Sequence, residues 1–147
     1  MKLVVQRVTK ASVEVEGEIV GSIGEGLMVL VGFGQNDTKK EADYLAGKLA
    51  KLRIFEDGEG RMNKSVIDIG AKVLLVPQFT LYAHTKKNRP SFHKALEPNR
   101  AIELFDYFKN KCSESVEVET GIFGAYMEVS LNNSGPVTIL LEKEFDE

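Results

Sequence analysis

The sequence has little of what many enzyme active sites use: among 147 residues there are one cysteine, two histidines and no tryptophan. A single cysteine, Cys112, excludes an internal disulfide and a thiolate metal cluster, and it fits a cytoplasmic protein. The two histidines, His84 and His93, are not spaced three or four residues apart as helix-borne metal ligands are. We therefore expect no metal and no cofactor.

Other features are also missing. No apolar run approaches the roughly 18 residues of a membrane span, and the N-terminus becomes polar too early for a secretory signal. The sequence has no Gly-x-Ser-x-Gly elbow, although a Ser-His-Asp triad needs no fixed order and stays open. Cys112 follows Phe105 and Phe108 at helical spacing, which favours a buried cysteine over a catalytic thiol.

The residues that are present predict one β-rich α/β domain over residues 1–147, since 43% are apolar and 28% charged. Val4–Val15 alternates as a strand before a Glu16-Gly17 hairpin turn, and Leu27–Phe33 is a continuous apolar strand. Lys72–Leu81 predicts a buried strand that is disturbed at Pro77. Later strands are expected at Val116–Thr120, Ala125–Leu131 and Val137–Leu141.

Two main helices are expected between these strands. Thr38 and Glu41 have the spacing of a capping box, and apolar residues follow at helical intervals. Pro98 suits the first turn of a second helix, which would bury Ala101, Phe105, Phe108 and Cys112.

Two short segments suggest a site formed largely by main chain. Gly135-Pro136 exposes backbone carbonyls with little side chain around them, and an X-Pro bond is the only peptide bond that adopts cis at low cost. An ordinary turn before a strand is the simpler interpretation. The second segment, Gln78-Phe79-Thr80, is a polar interruption of an apolar strand; Gln78 and Thr80 would share one side of that strand.

Thr80 is the best single candidate for a nucleophile, but no base is adjacent in sequence. Its hydroxyl could instead satisfy backbone groups disturbed by Pro77, and freed backbone N–H groups there could form an oxyanion hole. The residues alone thus leave two classes open: a small ester- or amide-handling enzyme, or an RNA-binding module.

A basic stretch supports an RNA partner. The segment from Lys86 to Arg100 has a net charge of +4, whereas the whole chain has −3 and the remainder therefore −7. Lys86, Lys87 and Arg89 could contact phosphates, or they could simply be a solvated loop.

Taken together, these segments resemble the D-aminoacyl-tRNA deacylase family over essentially the whole chain. The resemblance depends most on two motifs, Gln78-Phe79-Thr80 and Asn133-x-Gly135-Pro136-x-Thr138. Shorter matches are Gln6-Arg7-Val8, Arg53-Ile54-Phe55, Met62-Asn63, Arg89-Pro90-Ser91-Phe92, Asp106-Tyr107-Phe108 and Thr120-Gly121-Ile122-Phe123-Gly124-Ala125. One departure is Pro77, where the family pattern has serine.

The resemblance implies a three-layer β/β/α fold with mixed sheets, and a homodimer with active sites at the subunit interface. It implies that the enzyme proofreads translation by hydrolysing the ester of D-aminoacyl-tRNA and of mischarged Gly-tRNA. Gln78, Phe79 and Thr80 would form the catalytic segment, and the 2′-hydroxyl of the tRNA would assist catalysis. Gly135 and cis Pro136 would reach into the partner's pocket and leave no room for an L side chain. The alternatives are a non-catalytic RNA-binding module and an esterase with Thr80 as its nucleophile.

Overall fold

A long first strand organises the chain, and most of the sheet is built on it. The computed structural model describes residues 1–146, and its elements follow in chain order. They are β1 (Lys2–Val15), β2 (Glu18–Ile23), β3 (Gly26–Gly32), α1 (Lys39–Lys51), β4 (Phe55–Glu56), β5 (Met62–Lys64), β6 (Lys72–Pro77), a 3₁₀ turn (Phe79–Tyr82), α2 (Pro98–Ser113), β7 (Val118–Thr120) and β8 (Glu128–Glu142).

The main sheet is mixed and nearly closes into a barrel. Its strand order is β2-β1-β3-β6-β7, and β8 also pairs with β1. β1 is antiparallel to β2, β3 and β8, whereas β6 is parallel to β3 and β7. The first and last strands of this order, β2 and β7, lie against each other. A Cβ at Gly21 of β2 would lie only 2.6 Å from the Thr120 carbonyl oxygen of β7. Only glycine permits that approach.

Alternation along β3 divides the interior into two cores. Leu27, Val29 and Val31 face the layer of α1 and α2, whereas Met28 packs inside the barrel with residues such as Val13. A strand that is buried on both faces needs the continuous apolar run seen in the sequence. The result is two sheet walls and one helical layer, so the expected three-layer fold with two main helices is confirmed.

Both helices begin where the sequence predicts. Thr38 caps α1: its hydroxyl accepts a hydrogen bond from Lys40 N at 3.2 Å, while Glu41 Oε1 accepts one from Thr38 N at 2.8 Å. Pro98 is the first residue of α2, which buries Phe108 and Cys112 as expected. Within residues 1–146, neither helix is long and apolar enough to cross a membrane.

Four of the predicted strands need correction. The strand predicted to reach Leu81 ends at Pro77, because proline has no N–H for the ladder and the chain turns into the 3₁₀ turn. The two strands predicted at 125–131 and 137–141 are one strand, β8, because β1 is long enough to pair with both halves. The strand predicted from Val116 begins at Val118.

Candidate active site

Gly135 and Pro136 lie in a bulge in the middle of β8, not in a turn before a strand. The register pairs Gln6 with Thr138 and Val8 with Asn133, so Arg7 alone stands opposite residues 134–137. The Gly135-Pro136 peptide bond is cis, as expected, and Gly135 has φ +133°, where L side chains are disfavoured. Both residues are exposed. The bulge therefore presents main chain to the surface.

Two side chains hold this bulge in place. Asn133 Oδ1 accepts a hydrogen bond from Val137 N at 2.6 Å, and Asn133 Nδ2 donates to Thr138 Oγ1 at 3.0 Å. Arg7 donates from Nε to the Ser134 carbonyl at 3.0 Å and from Nη1 to the Ile54 carbonyl at 2.8 Å. The guanidinium thus ties the bulge to the segment that follows α1.

The sequence interpretation assigned Arg7 no role, although a signal was present. Arg7 is a long cation inside the alternating, β-branched pattern of β1, where the strand pairs on both sides. A charged group at such a position needs partners, and here backbone carbonyls supply them.

The second segment is a turn that leaves donors free. Gln78 N donates to the Val31 carbonyl at 2.8 Å, which ends the pairing of β6, and the 3₁₀ turn begins at Phe79. The first N–H groups of a helical turn have no partner within it. For Phe79 and Thr80 the described residues supply no acceptor either. Both residues are exposed, which makes these N–H groups candidates for binding a ligand.

Gln78 and Thr80 meet, but through the turn and not on one side of a strand as predicted. Gln78 Nε2 donates to Thr80 Oγ1 at 2.8 Å. Among the described residues, no histidine or carboxylate shares a hydrogen bond with the Thr80 hydroxyl. An amide nitrogen cannot take a proton from a hydroxyl, so the geometry gives Thr80 a fixed orientation without a base.

An apolar cavity of about 310 Å³ opens beside this turn. The Phe79 and Phe92 rings meet edge to face at its wall, with centroids 4.9 Å apart. The other residues that line it are Val31, Phe33, Gln78, Ala95, Leu96, Glu97, Pro98, Ala101 and Phe123. Gly135 and Pro136 are not among them. Within one chain, the Gly135-Pro136 bulge therefore does not line the cavity beside the 3₁₀ turn.

The predicted basic loop lies next to the turn. A pair of hydrogen bonds between His84 and Ser91 closes the loop, with His84 N to Ser91 O at 2.7 Å and Ser91 N to His84 O at 3.0 Å. Lys86, Lys87 and Arg89 lie in the exposed part between them. The loop leaves the 3₁₀ turn and returns to Phe92, a residue of the cavity wall, although its three cations do not themselves line the cavity.

Other candidates for chemistry are not supported by the geometry. Burial raises the pKa of the Cys112 thiol to about 12, so the reactive thiolate is scarce at neutral pH. His84 and His93 have ring centroids 5.1 Å apart, but residues 1–146 contain no cluster of three or more potential metal ligands.

Comparison with known proteins identifies the family. The sequence profile of the family described as D-Tyr-tRNA(Tyr) deacylase matches residues 4–142. A D-aminoacyl-tRNA deacylase of Bacillus velezensis is 52% identical over 146 residues, which is 98% of this chain and 99% of the relative. One from Kosmotoga olearia is 53% identical over 143 residues, 97% of each chain.

Solved structures share the fold of this chain. The structure titled c-Myc DNA Unwinding Element Binding Protein superposes with a TM-score of 0.94 at 43% identity, covering 99% of this chain and 100% of that one. A probable eukaryotic D-amino acid tRNA deacylase has a TM-score of 0.81 at 19% identity, over 95% and 97% of the two chains, and supports the fold. This chain therefore belongs to the D-Tyr-tRNA(Tyr) deacylase family, and it is an enzyme of that family.

Proposed function

We propose that this chain hydrolyses the ester bond of D-aminoacyl-tRNA and so edits translation in the cytoplasm, releasing tRNA and a free D-amino acid. The family match over residues 4–142 is the observation that carries this proposal. The arrangement of the two motifs supports it, because both are exposed at points where the main chain leaves regular pairing.

The exposed turn supports a mechanism based on positioning and electrostatics. Water attacks the carbonyl carbon of the ester, and the electron pair of the C=O bond moves to its oxygen. The free N–H groups of Phe79 and Thr80 would stabilise this negative charge as an oxyanion hole. The tetrahedral intermediate then collapses: the C=O bond re-forms, the bond between the carbonyl carbon and the 3′-oxygen of the tRNA breaks, and the 3′-oxygen leaves with the proton that the attacking water has lost.

In this proposal the substrate, and not a side chain of the protein, assists the proton transfers. Gln78 orients the Thr80 hydroxyl but provides no base, which argues against Thr80 as the attacking group. We propose that the terminal 2′-hydroxyl of the tRNA orients the attacking water. An ester needs less activation than an amide, so correct placement of water and oxyanion is sufficient.

Selection of the D enantiomer is assigned to Gly135 and Pro136. Because these residues do not line the cavity of their own chain, we propose a homodimer in which they enter the partner's site. Their main chain would occupy the space of an L side chain, whereas a D side chain would point to solvent. Glycine has no side chain to exclude, so Gly-tRNA should also be a substrate.

The neighbouring features suit the RNA part of the substrate. The apolar cavity beside Phe79 and Phe92 could hold the terminal base by stacking. Lys86, Lys87 and Arg89 could contact phosphates nearby. No cofactor or metal is part of this proposal.

The direct test compares one tRNA charged with D-tyrosine, L-tyrosine or glycine. We expect hydrolysis of the D and glycyl esters and persistence of the L ester. Binding of tRNA without hydrolysis of any ester would instead favour a non-catalytic RNA-binding module.

A further inference from the structure

A groove with basic walls runs along the last turns of α1, away from the basic loop. Its volume is about 490 Å³, and we call it the α1 groove. The residues that line it are Tyr44, Gly47, Lys48, Lys51, Leu52 and Arg53. Residues four and three apart share a face of a helix, so Tyr44, Lys48 and Lys51 form one row.

All the charged residues that line the α1 groove are positive. No acidic residue occurs between Tyr44 and Phe55, which makes this stretch +3 in a chain whose net charge is −3. Among the described residues, no carboxylate lies within salt-bridge distance of Lys48, Lys51 or Arg53.

Within residues 1–146, the positive charge of the α1 groove is not neutralised by an ion pair, and a further cation lies beside the groove. Hydrogen bonds from Ser65 and, after them, the charge of Arg53 contribute to the lowered pKa of Asp68, but Arg53 and Asp68 form no ion pair, and the Asp68 carboxylate accepts a hydrogen bond from Ser65 N at 2.9 Å. A fourth cation, Lys143, stands 4.7 Å from the centre of the Tyr44 ring. Lysines in the last turn of a helix also complement its dipole, but Arg53 lies beyond the end of α1.

Arg7 connects the bulge to the residue that follows the last member of the α1 groove. The same guanidinium bonds the carbonyls of Ser134, in the bulge, and of Ile54, the residue next to Arg53. Gly135 touches this group too, since a Cβ there would lie 3.0 Å from Arg7 Nη2. A substrate whose ester end meets Gly135 and Pro136 would thus have the groove beside it.

From these observations we infer that the α1 groove binds the phosphate backbone of the RNA whose ester end is held at the Gly135-Pro136 bulge. The inference rests on the function proposed above. Ammonium and guanidinium groups with no acid partner are the groups that contact phosphates, and Arg53 can bond one with two N–H groups. The groove would act in addition to the loop that carries Lys86, Lys87 and Arg89.

Two pairs of substitutions on the same helix test this. Lys48→Gln with Lys51→Gln removes two charges from the groove, and Lys39→Gln with Lys40→Gln removes two from the opposite end of α1. Glutamine keeps good helix propensity, so the fold should survive in both. Arg53→Gln repeats the test outside the helix. Affinity for uncharged tRNA is measured between about 50 and 200 mM salt.

For the groove variants we expect weaker tRNA binding. The slope of log affinity against log salt concentration should also be shallower by about one unit for each phosphate that the protein no longer neutralises. The control pair should keep the wild-type slope. An unchanged slope in both groove variants, or an equal decrease in the control pair, would overturn the inference.

A second substrate separates this inference from the proposed function. D-Aminoacyl-adenosine carries the ester but no RNA stem, so the groove variants should hydrolyse it at the wild-type rate while their KM for D-aminoacyl-tRNA rises. If the wild-type protein hydrolyses neither substrate, the proposed function fails, whereas the salt slopes still report on the groove. A large decrease in the rate on D-aminoacyl-adenosine would place these lysines in the chemistry and contradict a backbone-binding role.

Discussion

Gly135→Ala probes the bulge on which the proposed selectivity depends. The added methyl group would lie 2.8 Å from Val137 Cγ2 and 3.0 Å from Arg7 Nη2, and the residue would have to keep φ +133°. A disfavoured backbone conformation costs about 1–3 kcal/mol and crowding of packed neighbours about 1–3 kcal/mol more. We therefore expect the free energy of unfolding to fall by about 2–6 kcal/mol.

A decrease of this size is easily seen by thermal unfolding. For a chain of this size, about 1 kcal/mol shifts the melting temperature by roughly 2–4 °C, so a decrease of about 4–24 °C is expected. Gly17→Ala is the matched control: Gly17 has φ +82°, but no atom lies within 4 Å of the added methyl. Gly17→Ala should therefore show the loss of stability that comes from the backbone conformation, without the loss that comes from crowded neighbouring atoms.

Activity gives the second measurement on the same variants. Well below its melting temperature, Gly135→Ala should have a kcat/KM toward D-aminoacyl-tRNA that is lower by at least about tenfold, because Arg7 or the bulge must move. Gly17→Ala should keep wild-type activity. If Gly135→Ala is no less stable than Gly17→Ala and hydrolyses D-aminoacyl-tRNA normally, then the bulge neither needs glycine nor meets the substrate.

The other residues of the site can be tested in the same way. Thr80→Ala should keep most of its activity, whereas a tRNA ending in 2′-deoxyadenosine should be nearly inert; the reverse pattern would make Thr80 the nucleophile. Lys86→Glu with Lys87→Glu should weaken tRNA binding and reduce its salt slope by about one unit for each phosphate no longer neutralised, and an unchanged slope would show a merely solvated loop. Cys112 is 3% exposed and its pKa is raised to about 12, so iodoacetamide at a pH of about 8 should leave it unmodified by mass spectrometry until the protein is unfolded. Rapid labelling of the folded enzyme with loss of activity would contradict its burial.

Local signals in the sequence predicted much of the fold. The capping box at Thr38, the Pro98 helix start and the alternation of β1 all depend on neighbours a few residues away, and all appear in the structure. The Glu16-Gly17 turn is also found, with both residues at positive φ. These predictions are correct because short-range hydrogen bonds and side-chain periodicity determine where such elements form.

Pairing between distant strands was not predictable in this way. Gly135-Pro136 looks like a break between two strands, yet β1 pairs on both sides of it and makes it a bulge within β8. Likewise the role of Arg7 depends on carbonyls of Ser134 and Ile54, which are remote in sequence. The motifs were found from the sequence, but the groups that hold them in place became evident only from the folded chain.

Selective hydrolysis of the D ester is best tested by the ratio of kcat/KM for D-tyrosyl-tRNA and L-tyrosyl-tRNA, measured with one tRNA and one enzyme preparation. The proposed function predicts a ratio far above one, with free D-tyrosine and intact tRNA as the only products. A ratio near one, or no hydrolysis of the D ester above the rate without enzyme, would contradict it.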